Sequence, residues 1–361
     1  MATRGKVKQL TGELINNHLK LTKPRLELVS LFIISLIQVQ TVNMAKIALA
    51  MNTSCKVGIN YRRLQRFVKD ISDFSQLLIP LMIKWLNLSE GSITLLIDRT
   101  NWEFGKKKIN ILMVSALYNG FSVPLCWSLL DKKGNSNQGE RRDLVKRLIE
   151  ILGPGKISYI IGDREFGGVH WYKYLNDNQI TFIIRVKENQ KVKCGDRKIS
   201  VRSIIKSHAR NGRQCSKKVY VYGGLYLYVC GFRFRNDNGK LEYLILLSQK
   251  QIKNISEVYG QRWQIENMFR NMKSNGFNME QTHLKEDSRI DTLIGLIALS
   301  YVWLIKLGLL VKRKQAKIFE PKTHGRPAKS IFKAGLEFLA RAFYTNNSAD
   351  FAVAIKILSC T

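Results

Sequence analysis

Apolar residues recur at helical spacing through residues 1–88, punctuated near the start by Pro24, and predict a helical N-terminal domain. Within it, an apolar, alanine-containing helix over 42–51 is followed by a break, NTSCKVGIN. YRRLQRFVKD then resumes helical spacing with Arg62, Arg63, Arg66 and Lys69. The pattern fits a helix-turn-helix whose second helix sets cations against phosphates and base edges, and it fits two helices of an ordinary bundle equally well. From Ser92 the texture becomes strand-like: SITLLIDRTNWEFG, KKINILMVSALYNG and FSVPLCWSLLDKKG, divided by turn signals at Asn119-Gly120 and Gly134-Asn135. Three such strands in succession make a meander. Residues 138–152 return to helical spacing through Leu144, Leu148, Ile149 and Leu152, and Gly153-Pro154-Gly155 stops them. The apolar run in ISYIIGDREF predicts a fully buried strand, a helix around 170–178 follows, and TFIIRV is the next strand, so the core reads βββαβαβ.

Residues 185–258 interrupt this core with basic, strand-like sequence, including KKVYVYGG, LYLYVCGFRFRN and LEYLILLS. They predict an inserted β-rich lobe, either turned toward a phosphate backbone or simply solubilising. A helix over 259–273, an apolar helix over 292–311 and a basic tail complete the chain. The predicted class is α/β: a mixed sheet flanked by helices, with a helical domain over 1–88, a core over 89–311 that contains the insertion 185–258, and a basic helical region over 312–361.

Lys and Arg number 59 against 27 Asp and Glu, a formal net charge of +32. A compact fold with that charge expects a polyanionic partner, nucleic acid first and an acidic membrane surface second. The 45% hydrophobic content and dispersed charge exclude a disordered tail. Cys55, Cys126, Cys194, Cys215, Cys230 and Cys360 form no CxxC pair, which argues against zinc and disulfide frameworks. The N-terminus lacks the apolar core of a signal peptide. The run at 292–311 contains Lys306 and reads better as a buried core helix than as a membrane span. The expectation is a cytoplasmic, nucleoid-associated protein with no membrane partner.

Candidate chemistry centres on YGQRWQIENMFRNMK. At helical period Tyr259, Arg262, Glu266, Arg270 and Lys273 fall on one polar stripe beside an apolar flank of Val258, Ile265, Phe269 and Met272. Such a stripe is an active-site wall or a solvated face, since Arg262 with Glu266 and Glu266 with Arg270 are ordinary i,i+4 pairs. Asp98 and Asp163 each end an apolar strand. Alone each would be a turn residue, but together with Glu266 they make three carboxylates able to bind a pair of hard divalent cations. Two magnesium ions so held suit phosphodiester chemistry without a histidine base. His18, His170, His208, His283 and His324 have no metal-motif spacing.

LLIDRTNWEFG, YIIGDREFGG and YGQRWQIENMFRNMK resemble the three catalytic blocks of DDE transposases of the insertion-sequence-four group. The last matches that group's signature at Tyr259, Arg262, Glu266 and Lys273. The resemblance implies an RNase H-like catalytic domain with a β-rich insertion between the second aspartate and the glutamate. It implies Asp98, Asp163 and Glu266 as catalytic ligands of two Mg2+ ions, with Mn2+ able to substitute. Tyr259, Arg262 and Lys273 would grip phosphates at the element end, with Arg270 beside them. Trp263 resembles a position that holds a flipped base, although it lies nearer the buried flank, where core packing is an equal expectation. Glu165 is expected outside the metal site. The implied activity is cut-and-paste transposition: binding of element ends, cleavage by metal-activated water and transfer of 3′ ends to target DNA by at least a homodimer on double-stranded DNA. The rivals are an inactive DNA-binding regulator, an RNase H-like nuclease without strand transfer, and a basic RNA-binding protein.

Overall fold

The computed structural model describes the chain apart from residues 1, 72, 105–106, 209–212, 216–219, 236–237, 324, 326, 346–347 and 360–361 and the side chains of 2–3, 207–208 and 213–215. The N-terminal region is helical as predicted: α1 (Ala2–Asn16), α2 (Lys23–Val39), α3 (Met44–Ala50), α4 (Val57–Asp70) and α5 (Phe74–Trp85). Pro24 sits in the first turn of α2, where its missing N–H leaves no helical bond unmade. The second helix of the candidate helix-turn-helix begins at Val57, ahead of the predicted Tyr61.

The meander follows as β1 (Ile93–Phe104), β2 (Lys107–Tyr118) and β3 (Phe121–Leu129). Asn119 and Gly120 have φ of 47° and 81°, the left-handed pair that lets a two-residue turn match the twist of its strands. α6 (Gln138–Leu152) has its predicted bounds for a local reason. The Asn137 side chain accepts from the Glu140 amide at 3.0 Å, the Glu140 carboxylate accepts from the Asn137 amide at 2.6 Å, and Gly153 ends the helix. β4 (Ile157–Gly162), α7 (Val169–Asp177) and β5 (Thr181–Arg185) close the core. The strand order β3-β2-β1-β4-β5, antiparallel through the meander and parallel from β1 to β4 to β5, is RNase H-like.

The insertion comprises β6 (Lys191–Cys194), β7 (Arg197–Ser200), α8 (Val201–His208), β8 (Arg213–Cys215), β9 (Tyr220–Tyr222), β10 (Leu225–Arg235) and β11 (Leu241–Ser248). It is not a detached lobe. β11 pairs antiparallel with β5, Leu246 opposite Arg185 and Leu247 opposite Ile184, so one eleven-stranded sheet runs through core and insertion. Cys55, Cys126 and Cys194 are free, whereas Cys230 is disulfide-bonded, against the expectation from cysteine spacing; Cys360 lies outside the described residues.

The predicted helix over 259–273 divides into α9 (Ile255–Gly260) and α10 (Trp263–Met272). The amides of Arg262, Gln264 and Ile265 each bond three residues back, at 2.9, 3.0 and 3.1 Å, a tight 3₁₀-like passage between the two helices. α10 packs on β1 and β3. α11 (Asp287–Lys314) is long and apolar enough to cross a membrane, but 83% of its most apolar stretch is buried inside the molecule, as a core helix is. Its Lys306 ammonium donates to the Trp85 carbonyl. α12 (Ile331–Tyr344) crosses α11 at a pair of glycines, and α13 (Ser348–Lys356) follows. A Cβ at Gly335 would lie 2.0 Å from the Leu304 carbonyl oxygen, and one at Gly308 would lie 2.0 Å from that of Ile331.

Candidate active site

β1 and β4 are neighbouring parallel strands whose last paired residues are Ile97 and Gly162. Asp98 and Asp163 are the next residue on each strand, so the register brings both carboxylates to one height at adjacent strands, less than about 5 Å apart in the backbone. Gly162 allows this approach, because a Cβ there would come within 3.0 Å of Ile97 Cγ2 and 3.1 Å of Phe166 Cβ. Each aspartate accepts from the amide that follows it, Asp98 from Arg99 at 2.8 Å and Asp163 from Arg164 at 2.7 Å.

Glu266 reaches the same place from α10. Arg262 ties it there: one guanidinium nitrogen donates to Asp98 Oδ2 at 3.3 Å and another to Glu266 Oε1 at 2.5 Å. The Arg262 and Asp98 side chains are only 13% and 18% exposed, so this is not a solvated surface pair. Burial raises the Asp98 pKa from 3.8 to about 6; the Arg99 amide and Arg262 oppose the rise, and Glu266 and Asp163 add to it. Despite its own burial, Arg262 is held more firmly protonated by Tyr259, Glu266 and Asp98. Tyr259 is buried beside it, and burial pushes its hydroxyl up to about 12, with Arg262 opposing. Lys273, just past the end of α10, donates to the Asn101 carbonyl at 3.1 Å, pairs with Glu280 at 2.8 Å and lies 5.5 Å from the Trp102 ring centroid.

The expected three-carboxylate metal centre is not assembled as such. Among the described residues no three acidic, histidine or cysteine side chains stand close enough to hold one ion, and the Arg262 guanidinium lies between Asp98 and Glu266. The donor set nonetheless suits a hard divalent cation, being all carboxylate oxygen, with Asp98 buried and carrying Glu266 and Asp163 close enough to raise its pKa further. Trp263 is 52% exposed, so core packing does not account for it, and Arg270 is exposed as well. Arg62 and Arg66 are exposed on α4 and Arg63 is half-buried there; none of the three contributes to this cluster.

Sequence reasoning missed the scaffold beneath the aspartates. The Glu165 carboxylate accepts from Arg99 Nε at 3.1 and 3.2 Å and from the amide and hydroxyl of Ser136 at 3.1 and 3.3 Å. Arg99 also donates to Asn110 at 2.9 Å. Buried Arg141 of α6 donates to the carbonyls of Ser136, Glu165 and Gly167 and to the Ser136 hydroxyl. An ion pair thus joins the residue after Asp98 to the residue two beyond Asp163. The signal was present in the adjacency of Arg99 and Glu165 to the two aspartates, but only the strand register pairs them.

No curated protein matches the chain significantly. The family model of the transposase DDE domain matches residues 89–303, from the first residues before β1 to the middle of α11. A sheet in RNase H-like order, two aspartates at matched strand ends and a helix-borne glutamate all lie within that match, which spans more than half of the 361 residues, and the chain belongs to the DDE transposases.

Proposed function

We propose that this transposase is of the insertion-sequence-four group and works by cut and paste: it binds the ends of its element, hydrolyses the phosphodiester there and joins the freed 3′ hydroxyl to target DNA. The observation that best supports this reading is the matched height of Asp98 and Asp163 on adjacent parallel strands, with Glu266 linked to Asp98 through Arg262. Asp98, Asp163 and Glu266 would be the ligands of two Mg2+ ions, for which Mn2+ can substitute. When bound, such a pair supplies Lewis-acid stabilisation to the attacking and leaving oxygens of an in-line displacement.

The side chains around the carboxylates have separable tasks. Arg262 exchanges its carboxylate partners for a DNA phosphate, which its planar fork suits equally well. Tyr259, with its hydroxyl pushed up to about 12, stays protonated at neutral pH and donates to a phosphate oxygen. Lys273 is held by the Asn101 carbonyl three residues beyond Asp98, a position from which it fixes the strand along β1. Trp263, exposed at the start of α10, offers a stacking platform for an unpaired base, and exposed Arg270 adds charge on the same helix. Residues 1–88 with Arg62, Arg63 and Arg66 serve as the DNA-binding domain, 89–311 as the catalytic domain with its insertion at 185–258, and 312–361 as a second basic surface. Two ends require at least a dimer in the DNA complex, in a cytoplasmic, nucleoid-associated setting.

The test is a donor DNA with marked ends, incubated with the chain and Mg2+ and scored for insertion into a second DNA. Insertion by the parent chain and none by Asp98→Ala or Glu266→Gln is expected. Nicking without insertion would reduce the function to that of a nuclease, and equal mobilisation by Asp98→Ala would overturn the catalytic assignment.

A further inference from the structure

The outward face of α4 carries more than cations. Asn60, Leu64, Phe67 and Val68 are buried and define the inner face of the helix. Opposite them, Ile59, Arg62 and Arg66 fall along one line at i, i+3 and i+7, with Gln65 and Lys69 alongside. Ile59 is 48% exposed at the N-terminal end of this basic stripe, and Val57 at the helix start is 43% exposed. A face that only touched phosphates would need cations alone, whereas Ile59 adds an apolar group beside them that a base edge can meet.

The helix is held as a rigid reading head. Buried Asn60 shares side-chain hydrogen bonds of 2.9 and 3.0 Å with Thr53 in the preceding turn, and Asn43 caps α3 by accepting from the amides of Ala45 and Lys46 at 3.1 and 3.2 Å. Arg62, Arg63, Arg66 and Lys69 face only Asp70 in opposite charge within α4. A second copy of a chain with a net charge of +32 is repelled by such a surface, whereas the phosphate-lined major groove of DNA is attracted. In that groove an apolar side chain near the start of the helix meets the one apolar group on base edges, the thymine C5 methyl, while arginine and glutamine suit guanine and adenine.

We propose that Ile59 is a specificity-determining residue that packs on a thymine methyl in the major groove of the DNA bound by α4. The inference rests on the reading of α4 as the end-binding helix, and the experiment separates the two. The full chain selects its preferred duplex from a randomised pool. Each thymine of that duplex is then replaced singly by uracil, which lacks only the methyl, and binding is measured for the parent chain, Ile59→Ala and Arg66→Gln. Uracil at one or two positions should weaken parental binding about four-fold, the worth of one buried methyl. It should have no effect on Ile59→Ala, whose affinity for random duplex and salt dependence stay parental. Arg66→Gln should weaken binding to every duplex and flatten the salt dependence. If no single uracil weakens the parent, or if Ile59→Ala suffers the same uracil penalty, the methyl contact is refuted. If Arg66→Gln and Ile59→Ala both bind every duplex as the parent does, the end-binding role of α4 itself is refuted.

Discussion

Replacing Asp98 by asparagine should make the metal-free, DNA-free protein more stable at neutral pH, even though it should abolish activity. Asp98 has a pKa of about 6 in the folded chain against 3.8 ordinarily, chiefly because burial disfavours its charge. For a carboxyl whose pKa is raised by folding, protonation is favoured in the native state. Well below pH 4 the group is neutral in both states and costs nothing. As pH rises through the window from 3.8 to about 6, the folded protein is progressively penalised for ionising it. A shift of about two units corresponds to roughly 3 kcal/mol at pH 7.5. Asparagine keeps the acceptor for the Arg99 amide and removes the charge, at the loss of one of the two carboxylate partners of Arg262. At about 2 °C per kcal/mol for a chain of this size, Asp98→Asn should melt as much as ~5 °C above the parent at pH 7.5. The gap should close toward pH 4.5. Scanning calorimetry of both proteins across this range, without metal and in chelator, measures it. Parallel melting curves at all pH values, or a lower melting temperature for the variant at pH 7.5, would refute the argument that the site stores a desolvated charge.

Four further outcomes follow from the site, its scaffold and the helix packing. Glu165→Gln leaves Arg99 without its counter-charge between side chains only 17% and 16% exposed, and should cost roughly 3 kcal/mol in urea unfolding; because it loosens the β1 and β4 ends, Mg2+ affinity should fall too, with Glu165→Asp intermediate. Arg262→Ala removes the guanidinium that competes for Asp98 and Glu266, so calorimetric Mn2+ binding without DNA should tighten about ten-fold, equivalent to ~1.4 kcal/mol, while DNA cleavage is lost; unchanged Mn2+ affinity would show that no competition exists. Gly335→Ala drives a Cβ into the Leu304 carbonyl and should cost on the order of 3 kcal/mol or more by circular dichroism. Gly12→Ala, in α1 with nothing within 4 Å of the new Cβ, should instead stabilise by about 0.5–1 kcal/mol.

The element order was legible because it is written locally. Asn137, Glu140 and Gly153 bound α6 by their own hydrogen bonds and backbone angles, and the apolar runs before Asp98 and Asp163 could only be buried strands. What could not be read depended on distant pairing. The return of β11 to β5 makes the insertion continuous with the core sheet, and nothing in LEYLILLS says which strand it will join. The clamp from Arg99 to Glu165 spans 66 positions and exists only through the β1–β4 register. α8 is a different case. Val201, Ile204 and Ile205 stand at helical spacing and are buried, a helical signal within an otherwise basic, strand-like stretch. For Trp263 the sequence leaves base stacking and core packing equally open, and its 52% exposure at the start of α10 sets core packing aside.

The two readings of the polar stripe, solvated salt-bridged face or active-site wall, turn on Arg262 rather than on Glu266. An i,i+4 pair between them is present, as the bland reading requires. On an exposed helix such a pair is worth a few tenths of a kcal/mol and indicates nothing about function. Here the same guanidinium makes a second contact, to Asp98 on a strand 164 positions away, and it does so from a side chain only 13% exposed. Burying an arginine with two carboxylates gains little stability over apolar packing of similar volume. Arg262 thus ties Glu266 of α10 to the strand end that carries Asp98, and this part of the stripe is joined to the sheet rather than turned to solvent.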